Sequence, residues 1–159
     1  MEQLTANFEF KNNANLSLCL GVVGADTRPP RPGTPVEVFP CGTALDAKDR
    51  RRDQLWRIDA ADPGFVRIRN FVTPNYCLGV VGVDRPRPGS AVEIYNCFEV
   101  SGDRRLDNQW VIESNGTSQI RNRANRGVCL GVVGVDNPRP GSRAEVYYCR
   151  LGTRARQAK

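Results

Sequence analysis

The chain has no histidine, so it lacks the commonest general base, the side chain that titrates near neutrality and the commonest metal ligand. Neither Gly-x-Ser-x-Gly nor Ser-x-x-Lys occurs, which removes two frequent settings for an activated serine. No apolar run is long enough to span a bilayer as a helix, and Met1-Glu2-Gln3-Leu4 has neither the basic nor the apolar region of a secretory leader. Cys-x-x-Cys spacing, the usual mark of structural zinc, is missing, and unbroken stretches of good helix formers are scarce. These absences speak against a helical bundle, a membrane-spanning helix and a zinc module. They imply no metal and no cofactor, and they leave a β-rich protein that binds rather than catalyses.

What is present fits that reading. The 159 residues suit one domain, 1–159. Fifteen Gly and eleven Pro punctuate short runs of Val, Ile, Tyr and Phe, the composition of strands and turns. Six cysteines, an even number, favour disulfides and an oxidising, secreted or extracellular setting, although the starting Met keeps a cytoplasmic one open. The net charge of +6 raises the question of nucleic acid. Yet Arg50, Arg51 and Arg52, Arg104 and Arg105, and Arg150, Arg154, Arg156 and Lys159 fall in polar segments without interleaved aromatics for base stacking. They read as solvated surface, and a nucleic-acid partner is not expected.

The chain repeats itself. Cys-Leu-Gly-Val-Val-Gly occurs at Cys19–Gly24, Cys77–Gly82 and Cys129–Gly134. Each copy is followed by an Asp (Asp26, Asp84, Asp136) and by an Arg-Pro-Gly turn ending at Gly33, Gly89 or Gly141. Then come a Glu-apolar-aromatic triplet (Glu37-Val38-Phe39, Glu93-Ile94-Tyr95, Glu145-Val146-Tyr147) and a second Cys. Ahead of the hexapeptides stand Phe8–Asn12, Val66–Asn70 and Ser118–Asn122, whose period-two alternation predicts strands with one buried face. The repeats cover roughly 6–58, 64–112 and 116–159, and with no helix to stack they suit closed threefold packing better than an open array. Six cysteines allow fifteen pairings. Repeat symmetry across each Pro-Gly turn selects Cys19–Cys41, Cys77–Cys97 and Cys129–Cys149, each worth about 3 kcal/mol.

The pattern resembles the ricin-B-type lectins, Gln-x-Trp β-trefoils whose repeats begin Cys-Leu-Asp, turn back to an aromatic two residues before a second Cys and end in Gln-x-Trp. Gln54-Leu55-Trp56 reproduces that ending and Asn108-Gln109-Trp110 gives a one-residue variant, with Asp53 and Asp107 just ahead. The resemblance covers nearly the whole chain. It implies an all-β fold, a β-trefoil with three pseudo-symmetric repeats, and weak multivalent binding to glycans or glycoproteins.

Carried over position by position, Phe39, Tyr95 and Tyr147 become the rings on which a sugar packs, with Glu37, Glu93 and Glu145 one strand period away on the same face. On the strand pattern alone these rings could instead fill a barrel layer. Gln54 and Asn108 would support the pocket or merely tie strands together, with Asp53 and Asp107 beside them, while Trp56 and Trp110 belong to the core. The family's gripping Asp is replaced by Gly21, Gly79 and Gly131. Asp26, Asp84 and Asp136 either reach into the same pocket or pair with Arg31, Arg87 and Arg139 across the turn. The third repeat has no Trp after Cys149 and is expected to lack its final strand, so that a longer parent protein, residues 1–6 or a partner chain would close it. A protein-interaction or targeting trefoil that has lost its sugar sites is the alternative function.

Overall fold

The computed structural model describes residues 7–25, 28–42, 52–81, 85–98, 106–115, 117–134 and 137–149. Its strands are β1 (Asn7–Phe8), β2 (Leu18–Val22), β3 (Thr34–Pro40), β4 (Trp56–Ala60), β5 (Val66–Asn70), β6 (Tyr76–Val80), β7 (Val92–Asn96), β8 (Trp110–Asn115), β9 (Thr117–Asn122), β10 (Val128–Val132) and β11 (Ala144–Tyr148). One short 3-10 turn, Arg52–Gln54, precedes β4. The chain is all-β, as its punctuated apolar runs require.

Two tiers of pairing organise the strands. In the lower tier β1 pairs with β4, β4 with β5, β5 with β8 and β8 with β9, all antiparallel, forming the wall of a barrel. In the upper tier each hexapeptide strand folds back on its own Glu-apolar-aromatic strand. The three hairpins share one register, with Cys19 opposite Phe39, Cys77 opposite Tyr95 and Cys129 opposite Tyr147. The run at 8–12 is less regular than its two counterparts: strand pairing covers Asn7–Phe8, and Lys11 makes an isolated bridge to Cys19.

The hairpins are locked to one another in a ring. Gly33 N–H donates to the Ile94 carbonyl, Gly89 N–H to that of Val146 and Gly141 N–H to that of Val38, each at 2.7 Å. The first repeat thus grips the second, the second the third and the third the first. Each of these glycines has φ near +90° (91°, 92° and 89°), a conformation that costs glycine nothing and any other residue strain. A side chain closes each turn: Thr34 Oγ1, Ser90 Oγ and Ser142 Oγ accept from the N–H of Arg31, Arg87 and Arg139.

The core collects the inward residues of every strand, among them Leu20, Val38, Ile68, Leu78, Ile94 and Val146. Trp56 and Trp110 sit at its centre, fully buried, and each indole N–H donates to the carbonyl of the hexapeptide leucine, Leu20 at 3.0 Å and Leu78 at 2.9 Å. All three expected disulfides are formed, with Cα separations of 5.0, 5.0 and 4.9 Å. Residues 1–6 and 150–159, on which the expected gap in the third repeat turns, lie outside the described residues.

A candidate binding site on each hairpin

Period-two alternation on β3, β7 and β11 buries the apolar residues on either side of the Glu and turns the Glu and the aromatic ring away from the core. Phe39 is 38% exposed and Tyr147 49%, while Tyr95 is half-buried. The rings therefore face outward rather than filling a barrel layer. Glu37, Glu93 and Glu145 are half-buried beside them. Burial raises the Glu145 carboxyl above the usual carboxylate range. The Glu93 and Glu37 carboxylates also approach the turns of neighbouring repeats: a Cβ built on Gly33 would lie 3.7 Å from Glu93 Oε2, and one on Gly141 would lie 4.0 Å from Glu37 Oε2.

The glycine facing each Glu across the hairpin explains the departure from Cys-Leu-Asp. Gly21 pairs with Glu37, Gly79 with Glu93 and Gly131 with Glu145. A Cβ on Gly21 would fall 2.5 Å from Asp53 Oδ2, and one on Gly79 would fall 3.0 Å from Asp107 Oδ2. The carboxylates ahead of the Trp thus occupy the space above these glycines. Asp53 Oδ2 accepts the Val22 N–H at 2.9 Å and Asp107 Oδ2 that of Val80 at 3.4 Å. In the first two repeats a carboxylate still stands beside the third residue of the hexapeptide, delivered from the opposite segment and buried, with Asp53 3% and Asp107 1% exposed. In the third repeat, among the described residues, a Cβ on Gly131 would meet only the Glu145 carbonyl, at 4.0 Å.

The amides tie strands together. Gln54 Nε2 donates to the Pro40 carbonyl at 3.0 Å while its Oε1 accepts from Gly42 N–H at 2.9 Å, so it staples the end of β3. Asn108 Nδ2 donates to the Cys97 carbonyl at 3.0 Å. Two further residues, not singled out from sequence, hold the Asp-bearing turns: Asn70 Nδ2 donates to the Asp53 carbonyl and Asn122 Nδ2 to the Asp107 carbonyl, each at 2.8 Å. Each belongs to the repeat after the one it supports. Their signal was the recurrence of Asn at the end of the first strand of every repeat.

Asp26, Asp84 and Asp136 lie outside the described residues. Close to Asp26 in sequence, Val23, Gly24, Arg28, Pro29, Pro30, Arg31 and Thr34 line an open cleft of about 200 Å³.

Exposed rings beside half-buried carboxylates, repeated on three hairpins of one all-β scaffold, define a repeated candidate binding surface. Residues 6–157 match the family described as the ricin-type beta-trefoil lectin domain, and the chain belongs to that family. The fold recurs in a designed threefold-symmetric protein, ThreeFoil, at a TM-score of 0.70 and 16% identity, covering 91% of this chain and 89% of that one. The C-half of an earthworm R-type lectin, solved in complex with GalNAc, aligns at 0.61 and 15%, again over 91% and 89%. A mosquitocidal holotoxin aligns at 0.71 and 18% over 94% of this chain, which spans only 16% of that much longer one. No curated protein matches the chain.

Proposed function

We propose that the chain binds glycans at its hairpins, non-catalytically, with Phe39, Tyr95 and Tyr147 as platforms for the apolar faces of sugar rings and Glu37, Glu93 and Glu145 accepting from sugar hydroxyls. The observation that carries this reading is the threefold repetition of an outward ring two residues from a half-buried carboxylate. A ring in that position contributes apolar contact and a partly desolvated carboxylate gives a strong charge-assisted hydrogen bond, the combination a polyol with one apolar face requires. Asp53, Gln54, Asp107 and Asn108 act from behind as supports, because they are buried and hydrogen-bonded to backbone. Asp26, Asp84 and Asp136 are proposed as further ligand contacts.

The third repeat is the weakest site in this proposal, since among the described residues no carboxylate stands above Gly131 as Asp53 stands above Gly21. Glycoproteins outside the cell are the natural partners of an oxidised module with three disulfides. The relation to the holotoxin supports a further reading, that the module serves within a larger parent protein.

The test is a glycan array probed with the oxidised protein and with Tyr95→Ala. Binding to one glycan class, with most of the second site's share lost in a variant that keeps its thermal midpoint, is the expected result. Binding untouched by the substitution, or silence across the array, would instead favour a protein-binding trefoil.

A further inference from the structure

The barrel wall carries a second polar surface, remote in character from the hairpin rings. On β4 and β5 the outward residues are Arg57, Asp59, Arg67 and Arg69, with Arg57 opposite Arg69 and Asp59 opposite Arg67. The Arg67 guanidinium lies 4.6 Å from the centroid of Phe98, a ring 58% exposed, and that of Arg69 lies 5.5 Å from it. Arg123 and Arg126, from the end of β9 and the turn after it, lie 4.1 and 5.0 Å from the centroid of Phe65. The two stacks adjoin, because Asp62 and Phe65, which Arg123 pairs with and stacks on, both lie in the turn that joins β4 to β5. Burial together with Arg69 and Arg123 holds the Arg67 guanidinium below its ordinary range, with Asp59 opposing.

Six guanidinium groups, with Arg121 paired to Glu113 at 2.7 Å, thus converge on a wall that carries the three carboxylates Glu113, Asp59 and Asp62. Asp59 pairs with Arg57 and Arg69, and Asp62 pairs with Arg123 at 2.6 Å. Arg67 and Arg126 make no ion pair among the described residues, and Arg67 Nε is buried without a hydrogen-bond partner. The surplus is local and positive. Stacking on a phenyl ring fixes the plane of a guanidinium and directs its N–H edge sideways, the preorganised fork that oxyanions accept in bidentate fashion. Arginines two apart on one strand stand about 7 Å from each other on the same face, so several anions along one chain could be met at once.

We propose that this wall binds a sulfated polysaccharide. A sulfated chain presents tetrahedral oxyanions at intervals and asks for edge-on guanidinium groups. Single-stranded nucleic acid asks in addition for open aromatic faces on which bases can stack, and here guanidinium groups lie over Phe65 and Phe98. A duplex needs a helix or ribbon that enters a groove, whereas the wall is a barrel side.

The test uses heparin as the probe, titrated into the oxidised full chain at moderate and at high salt. Arg67→Gln with Arg126→Gln is expected to weaken heparin binding about tenfold or more and to make its salt dependence shallower, in the manner of lost anion contacts. Arg28→Gln with Arg31→Gln removes the same charge from the open cleft and should leave binding within about twofold, as should Tyr95→Ala, which separates this surface from the hairpin sites. Equal losses in both double variants, stronger binding of a single-stranded oligonucleotide than of heparin, or no heparin binding at all would overturn the proposal.

Discussion

A methyl group at Gly21 would sit 2.5 Å from Asp53 Oδ2 and 3.0 Å from Gln54 Cγ, too close for any real Cβ. The carboxylate would have to give up the Val22 N–H it accepts, leaving a buried donor unsatisfied. Gly21→Ala is therefore expected to cost about 1–3 kcal/mol. Gly131→Ala, whose Cβ meets among the described residues only the Glu145 carbonyl at 4.0 Å, should stay within about 0.5 kcal/mol. Chemical denaturation of the two variants checks the contrast. The sequence showed that glycine stood where the family carries Asp, and Asp53 and Asp107 were singled out from it. That one carboxylate fills the space above the glycine was illegible, because it depends on a 3-10 turn some thirty residues away closing over the strand. The Trp residues, by contrast, were legible as core, since a large indole beside apolar strands is usually buried.

Among the elements, the hairpin is the unit that sequence reads best: its register follows from the alternation of β3, β7 and β11, and its disulfide from repeat symmetry. How one hairpin grips the next is carried by backbone groups and leaves no side-chain signature beyond the turn glycine. Gly89 isolates that contribution. Among the described residues no atom lies within 4 Å of a Cβ built there, yet its φ is +92° and its N–H bonds the third repeat. Gly89→Ala should thus destabilise through backbone strain alone, by about 1–3 kcal/mol, and a lowered thermal midpoint with an unchanged disulfide count would show it. The barrel strands were read less completely. Loop arginines drew attention in the sequence, whereas Arg67 and Arg69 alternate with buried Ile68 and Asn70 and look like ordinary strand surface. Phe98 and Phe65 reach these arginines from other segments, and strand patterning carries no information on such meetings.

At the scale of the molecule, three disulfides of near-identical span and a shared core make one rigid body with repeated faces. Sites held at fixed separations gain from ligand density rather than from single-site strength. On a densely glycosylated surface Tyr95→Ala is accordingly expected to shorten retention about tenfold or more, while affinity for a soluble monosaccharide at the remaining sites stays put. Surface plasmon resonance at two glycan densities separates these quantities, and equal effects at both densities would deny the multivalent mode.

The ring of turn-to-strand hydrogen bonds also fixes a number. Gly33, Gly89 and Gly141 each spend their N–H on the next hairpin, and the last returns to the first, so the cap has no terminal unit to extend. A fourth copy could enter only by breaking the circle, and the loss of one would strand a donor and an acceptor. Unlike an open array, whose reach grows by adding units, this architecture holds the number of hairpins in the ring at three. On the proposed reading, more hairpin sites than this come only from tethering whole trefoils together.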